Sequence, residues 1–187
     1  HSRLRQLCYD AFAVLHSGST KTPIYAVEKL DRDHLDLARR QSRTDVFYAD
    51  ARLPRAERAE LIDYVGSGYD KGHMSPAANQ PSAQAMAQSF TLANMVPQAP
   101  VNNQKKWSVV EASTRKYVKR AAGPVYVFTG PAFIEARPAL NGRVSVPSHL
   151  FKLVYDESAN RAWAYWMEIT NEAQVSTQSP YTELVRK

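Results

Sequence analysis

Asp70-Lys71-Gly72-His73 is the densest run of reactive side chains in this 187-residue chain. A neutral imidazole can take a proton from water near neutral pH. A lysine can meet a phosphate as a point charge. A glycine lets the backbone approach a substrate closely or bend sharply. Together these groups suit hydrolysis of a phosphodiester. Alone, the tetrapeptide is weak evidence, because a histidine in a turn serves packing as readily as chemistry.

A second cluster follows: Asn94, Gln98, Asn102, Asn103, Gln104, Trp107, Glu111 and Arg115. Asn103, Trp107, Glu111 and Arg115 recur every four residues, so on an α-helix each is rotated about 40° from the last and the four form one drifting stripe. Where a core helix would be apolar, this stripe carries an amide, an aromatic ring, a carboxylate and a guanidinium. Amide and carboxylate oxygens with water suit a hard cation such as Mg²⁺. Asn103 and Glu111 lie about 12 Å apart along such a helix. Asn103 is therefore the expected direct ligand, and Glu111 reaches the metal through water. The bland alternative is a solvated face with a weak Glu111–Arg115 pair. Lys105, Lys106, Arg115, Lys116, Lys119 and Arg120 outnumber the single acid Glu111 on this helix, and such a helix attracts phosphates.

These residues need a scaffold. Apolar and aromatic patterning predicts strands over Cys8–His16, Pro23–Leu30, Leu92–Val96, Val125–Phe128, Leu150–Tyr155 and Arg161–Ile169. Ser17-Gly18-Ser19 joins the first two as a hairpin. Helices are expected over Arg55–Tyr64 after Pro54, over Ser82–Phe90 with Ser82 as cap, over Asn102–Ala122, and from Tyr181 to Lys187. The fold class is α+β: a central, mostly antiparallel sheet flanked by helices, in a single domain over residues 1–187. The net charge of +6 and pI near 9.5 suggest a polyanionic partner, either nucleic acid, anionic lipid or polysaccharide, or else a merely well-solvated surface. One cysteine, Cys8, excludes an intrachain disulfide and a cysteine-held zinc; its neighbours Tyr9, Phe12 and Val14 suggest that it is buried. No run approaches the length of a membrane span. The chain opens at His1 rather than Met, which points to a removed leader or to a longer protein.

With these residues in view, the chain resembles the ββα-metal, DNA/RNA non-specific endonucleases, the family that includes endonuclease G. The family's Asp-Arg-Gly-His reads here as Asp70-Lys71-Gly72-His73, followed by Met74, Pro76 and Asn79. Its second motif reads as Asn94, Pro97-Gln98, Asn103-Gln104, Trp107 and Glu111, with Arg115 where the family places another arginine. Val127-Phe128-Thr129-Gly130-Pro131 and Val146-Pro147…Phe151-Lys152 also look like family segments. The resemblance implies a Mg²⁺-dependent nuclease that cuts DNA and RNA to 5′-phosphate products, with Mn²⁺ or another divalent cation able to substitute. It implies His73 as general base, Asn103 as the direct metal ligand, and Glu111 as holder of metal-bound water. Asn94 would shape the site, Arg115 would bind phosphate and stabilise the transition state, and Lys71 and Gln98 would join Arg115 in substrate binding. Lys71 departs from the family arginine and loses its bidentate geometry. Arg43 is the candidate for a further family arginine upstream.

Two readings compete with the nuclease. One is a nucleic-acid-binding module with a degenerate site, which would need none of His73, Asn103 and Glu111. The other is a metal-dependent phosphodiesterase acting on small esters, which would not need a basic helix. Double- and single-stranded DNA, RNA and an inhibitor protein are the expected partners. A nuclease without sequence preference endangers its host's genome. Secretion or a periplasm is therefore the expected location, with an organelle or a delivered toxin domain as alternatives.

Overall fold

The computed structural model describes residues 3–175 and 177–186. The chain opens with β1 (Leu4–Cys8), β2 (Ala13–Ser17) and β3 (Thr22–Leu30), then α1 (Arg32–Ala38). A long excursion holds α2 (Leu61–Tyr64), β4 (Asp70–His73), α3 (Ala83–Ser89) and β5 (Met95–Gln98). A π-helical segment, Asn102–Trp107, leads into α4 (Ser108–Val118). The remaining elements are β6 (Val125–Ala132), β7 (His149–Asp156), β8 (Arg161–Glu168), β9 (Ser179–Pro180) and α5 (Tyr181–Leu184). Seven strands form one antiparallel sheet in the order β1-β2-β3-β6-β7-β8-β9, and β4 pairs with β5 in a small sheet of its own. The fold is α+β, and β4, β5 and the helix after them make a ββα unit.

Strand alternation gives the large sheet one buried face. Leu30, Val125, Val127, Leu150, Val154 and Trp163 point inward and pack with Leu35 of α1 and with Trp107, Val110 and Val118 of the long helix. Smaller cores lie beneath the excursion: Tyr64, Leu92, Met95 and Val144 form one, and Ala77, Met86 and Phe90 form another. The ββα unit is thus clamped between the main core and these satellites.

Several expected elements differ. Cys8–His16 is two strands with a reversal between them, closed by Tyr9 N–H donating to the Phe12 carbonyl at 2.9 Å and by stacking of the two rings at 4.4 Å. Alternation in β1 turns Leu7 inward, so Cys8 is exposed rather than buried. The expected strand Leu92–Val96 opens instead as a 3-10 turn, Leu92–Asn94, and the strand starts at Met95. Arg55–Tyr64 divides into a 3-10 turn and the short α2. β6 runs through Gly130-Pro131 to Ala132. Gly130 allows this, since a Cβ there would lie 2.2 Å from the Ile24 carbonyl and 2.8 Å from the Phe151 ring. Ser82 caps α3 as expected, its Oγ accepting from Ala85 N–H at 3.1 Å. The expected last helix ends at Leu184, and Lys187 lies outside the described residues. α1, β1 as a separate strand, β4 and β9 were not expected from the sequence.

The long helix departs most. It is not one α-helix over Asn102–Ala122, because its first six residues are π-helical and its α segment ends at Val118. Two side chains anchor this start. Asn102, fully buried, accepts from Gln98 Nε2 at 2.7 Å and donates to the Glu168 carbonyl at 2.8 Å. Asn103 reaches instead toward β4. The wider turn moves Asn103 off the regular four-residue stripe, and such π segments recur at functional sites.

Candidate active site

β4 and β5 are in register Asp70↔Gln98, Lys71↔Pro97, Gly72↔Val96 and His73↔Met95. Alternation then sends Lys71 and His73 to one face and Asp70 and Gly72 to the other. On the first face the His73 ring meets Phe90 edge-on, with centroids 4.9 Å apart, and Phe47 at 5.9 Å. Its Nε2 is buried without a hydrogen-bond partner. Burial, reinforced by the nearby Arg43 guanidinium, drives its pKa down from 6.5 to about 3. His73 is therefore a neutral imidazole across the physiological range. Lys71 shares the wall, with Nζ 4.6 Å from the centre of the Phe47 ring. Arg43 lies over Phe90 at 5.0 Å.

On the second face Asp70 accepts from Asn103 Nδ2 at 2.9 Å and from Gln104 Nε2 at 2.8 Å. With its nitrogen engaged, the Asn103 amide has its oxygen left to face a cation. Asn103 thus joins β4 three positions before His73. Gly72 is required here, because a Cβ would stand 2.1 Å from Gln98 Oε1 and 2.9 Å from Gln98 Cβ. Gln98 itself is fully buried and tied to Asn102. This corrects its expected substrate-binding role: Gln98 is a strut beneath the strand, out of reach of substrate.

Asn94 is also a positioning residue rather than a reacting one. It is fully buried, its Oδ1 accepts from Ser75 N–H, and its Nδ2 donates to the carbonyls of Ser75 and Ser89, all at 2.9 Å. Its backbone carbonyl accepts from Met74 N–H at 2.9 Å. It pins the two residues that follow His73.

Beneath Glu111 lies a polar island that was not singled out in the sequence. Lys152 is 1% exposed, donates from Nζ to Thr129 Oγ1 at 2.6 Å, and sits 5.5 Å from the centre of the Trp107 ring. Glu28, 2% exposed, accepts from Ser75 Oγ at 2.9 Å and from Asn79 Nδ2 at 3.2 Å. Burial pushes the Glu28 carboxyl up to about 7 against the pull of Lys152. Burial also raises Glu111, while Lys152, Arg115 and Arg43 hold it down. Arg115 Nη1 contacts Asn79 Oδ1 at 3.4 Å. Strand alternation carried the missed signal: Lys152 lies between Leu150 and Val154, and Glu28 between Ala26 and Leu30, all on the inward side. Charged residues in such positions are seldom there for packing alone.

The Arg43 charge acts on both His73 and Glu111, Arg115 acts on Glu111, and Asn103 is attached to the strand of His73 through Asp70. Among the described residues no three His, Cys, Asp or Glu side chains cluster as metal ligands. An all-protein cage for zinc is therefore not built here. Asn103, tied through its nitrogen to Asp70, keeps an amide oxygen, a donor type that suits a hard cation retaining most of its water.

A model of the DNA/RNA non-specific endonucleases matches residues 2–187. The chain is 34% identical over 165 residues to nuclease C1 of Cunninghamella echinulata var. echinulata, covering 82% of this chain and 61% of that protein. It is 35% identical over 166 residues to the mitochondrial endonuclease G of Bos taurus, covering 82% and 52%. It is 32% identical over 164 residues to the human mitochondrial nuclease EXOG, covering 79% and 43%. The chain thus spans roughly half the length of these curated relatives. In fold it is similar to a chain of the EndoG/EndoGI complex, with a TM-score of 0.82 and 24% identity over 97% of this chain and 82% of that one.

Proposed function

The chain belongs to the DNA/RNA non-specific endonucleases, and on that premise we propose that it is a Mg²⁺-dependent endonuclease hydrolysing phosphodiester bonds of both DNA and RNA. The observation that carries the reading is the His73 imidazole. It is held neutral in an aromatic box, beside Arg43 and three residues from the Asp70–Asn103 link.

In this reading the His73 imidazole takes the proton of the attacking water. Its Nε2 is buried without a partner, so Nδ1 is the nitrogen assigned to meet water. Arg115 and Arg43 offset charge that develops on the phosphate, and Lys71 adds a further cation near the base. Asn103 would hold the metal through its amide oxygen, and Glu111 would reach it through water. Bound Mg²⁺, or Mn²⁺ in its place, would supply Lewis-acid stabilisation of the developing charge, and the expected products carry 5′-phosphates. No step engages the 2′-hydroxyl, so both sugars are accepted. Contacts to phosphates give little sequence preference.

The partners in this reading are double- and single-stranded DNA and RNA. An inhibitor protein is a further partner, by analogy with the EndoG/EndoGI complex. Among the described residues no helix is long and apolar enough to cross a membrane. Placement outside the cell or in an organelle would keep such an activity from the host genome, and relatives such as endonuclease G and EXOG are mitochondrial.

The test is digestion of supercoiled plasmid and of RNA with and without EDTA, using the parent chain and His73→Ala. Cleavage of both polymers by the parent, lost in EDTA and in the folded variant, is the expected outcome. Unimpaired cleavage by folded His73→Ala would remove the base assignment, and cleavage in EDTA would remove the metal.

A further inference from the structure

A cavity of about 590 Å³ opens beside the reactive centre, between α4, α1, the segment after α1 and the turn at Ala77–Asn79. Arg43 and Arg115 line its inner end. Their charges act on Glu111, and that of Arg43 acts on His73 as well. Farther out stand Arg39, Lys116 and Lys119. Asp36 meets two of these outer cations, at 3.9 Å from both Arg39 and Lys119. Such long, exposed pairs neutralise little. The groove therefore presents a surplus of positive charge continuous with the reactive centre. Lys105, Lys106 and Arg120, on the same helix, do not line it.

The floor is of another kind. Leu35, Ala78, Met86 and Ala112 make it apolar and smooth. Among the described residues no aromatic ring lines the groove. Gln41, an amide on its wall, has its Nε2 engaged by the carbonyls of Leu37 and Pro81. Sites for unpaired nucleotides stack the bases on aromatic rings, and sites with sequence preference place donors and acceptors against base edges. This groove has cations for phosphates and an apolar surface for sugars. Arg115 and Lys119 are about 6 Å apart along the helix, so both can meet phosphates of a single strand.

We infer that this groove carries the sugar–phosphate backbone of one strand of a duplex, on one side of the scissile phosphate, with the bases still paired and turned away. The inference rests on the nuclease reading for the identity of the polyanion. It adds that the outer cations Arg39, Lys116 and Lys119 form a duplex track separate from the reacting groups.

The test is metal-free binding, so that cleavage does not enter. Fluorescence anisotropy in EDTA follows a labelled duplex and a labelled oligo-dT of equal length across a salt series. The triple variant Arg39→Gln/Lys116→Gln/Lys119→Gln is compared with the parent and with Lys29→Gln/Arg55→Gln/Arg161→Gln, which removes the same charge away from the groove. The groove variant should lower the log–log salt slope on duplex by about two to three, at ~0.9 per phosphate contact. It should change the slope on oligo-dT by less than half as much, and the distant variant should leave the duplex slope within about one of the parent's. An unchanged duplex slope in the groove variant, an equal loss on oligo-dT, or an equal loss in the distant variant would each overturn the track. The nuclease reading stands or falls separately, on cleavage by the parent chain with metal present.

Discussion

Asn103 Nδ2 donates to Asp70 Oδ2 at 2.9 Å, which ties the expected metal ligand to the strand that ends in the proposed base, His73. Asp70 also accepts from Gln104, so one carboxylate fixes two consecutive amides of the π-helical segment. Partners behind a metal ligand set its orientation, and losing one costs about 10–100-fold in metal affinity or activity. Asp70→Ala should therefore shift the Mg²⁺ titration of cleavage to concentrations at least about tenfold higher. Saturating Mg²⁺ should restore much of the rate, since His73 is untouched. A variant with the parent's Mg²⁺ dependence would show that Asn103 needs no such partner.

The His73 imidazole supplies a pH prediction with a definite sign. Its folded pKa of about 3 lies below the ordinary 6.5. Between these values the unfolded chain binds the proton more readily than the folded chain. The stabilising contribution of neutral His73 is thus fully present above about pH 6.5 and is lost as pH falls toward about 3. Melting temperatures of the parent and of His73→Gln should converge on acidification across that window, because the variant has no proton to bind. The acid limb of kcat/KM for the parent should lie well below pH 6.5. A kcat/KM limb at the ordinary histidine value, with parallel melting curves, would mean that the aromatic box does not desolvate the ring.

The polar island under Glu111 should couple charge to stability. Lys152 is the cation facing Glu28 and Glu111. Lys152→Met keeps the length of the side chain but leaves two carboxyls without it. Breaking a buried ionic arrangement from one side costs about 3–5 kcal/mol. Glu28 can relieve the cost by staying protonated, because its folded pKa, about 7, is already raised above 4.5. A group raised in this way stabilises the fold below its unfolded pKa and loses that contribution as pH rises through its folded pKa. The melting-temperature deficit of Lys152→Met should therefore widen from about pH 5 to about pH 8, and adding Glu28→Gln should flatten it. A deficit independent of pH would show that Lys152 acts through packing on Trp107 alone.

Much of this site was legible in the sequence, and the reasons for the rest are physical. His73, Asn103, Glu111 and Arg115 stood out as candidates because reactive types recur at short spacings. Asn94 was expected to shape the site and is a buried strut, whereas Gln98 was expected to meet substrate and is fully buried: burial is a tertiary property, and nothing local distinguishes an amide strut from an amide that meets substrate. Glu28 was passed over, and Lys152 was quoted without a role, because their partners are far apart in the chain. Glu28 lies on β3 and Lys152 on β7, with β6 between them. Strands with sustained alternation, such as β7 and β8, were placed within a residue or two. β4 escaped notice because Asp-Lys-Gly-His has no strand propensity; its pairing with the fully buried β5 imposes the extended form. The π turn was equally hidden, since it depends on Asn102 and Asn103 being anchored to different neighbours.

Gly72 is the residue through which these anchors meet the reactive strand. A Cβ at position 72 would overlap Gln98 Oε1 at 2.1 Å and crowd Gln98 Cβ at 2.9 Å. Gln98 cannot swing aside freely, because it is fully buried and its Nε2 is held by Asn102 at 2.7 Å. In Gly72→Ala either β4 lifts from β5, displacing His73 and Asp70 together, or Gln98 releases Asn102 and the π-helical start loses an anchor. Both routes cost stability, about 1–3 kcal/mol for overpacking of this kind, and both disturb the geometry of cleavage. Adding Gln98→Ala opens the space that the new methyl needs. The double variant should regain melting temperature relative to Gly72→Ala and recover part of its cleavage rate, whereas Gln98→Ala alone should destabilise by removing the bond to Asn102. Additive losses in the double variant would show that Gly72 is needed for backbone freedom rather than for the space occupied by Gln98, and a double-mutant cycle on melting and on plasmid cleavage separates the two.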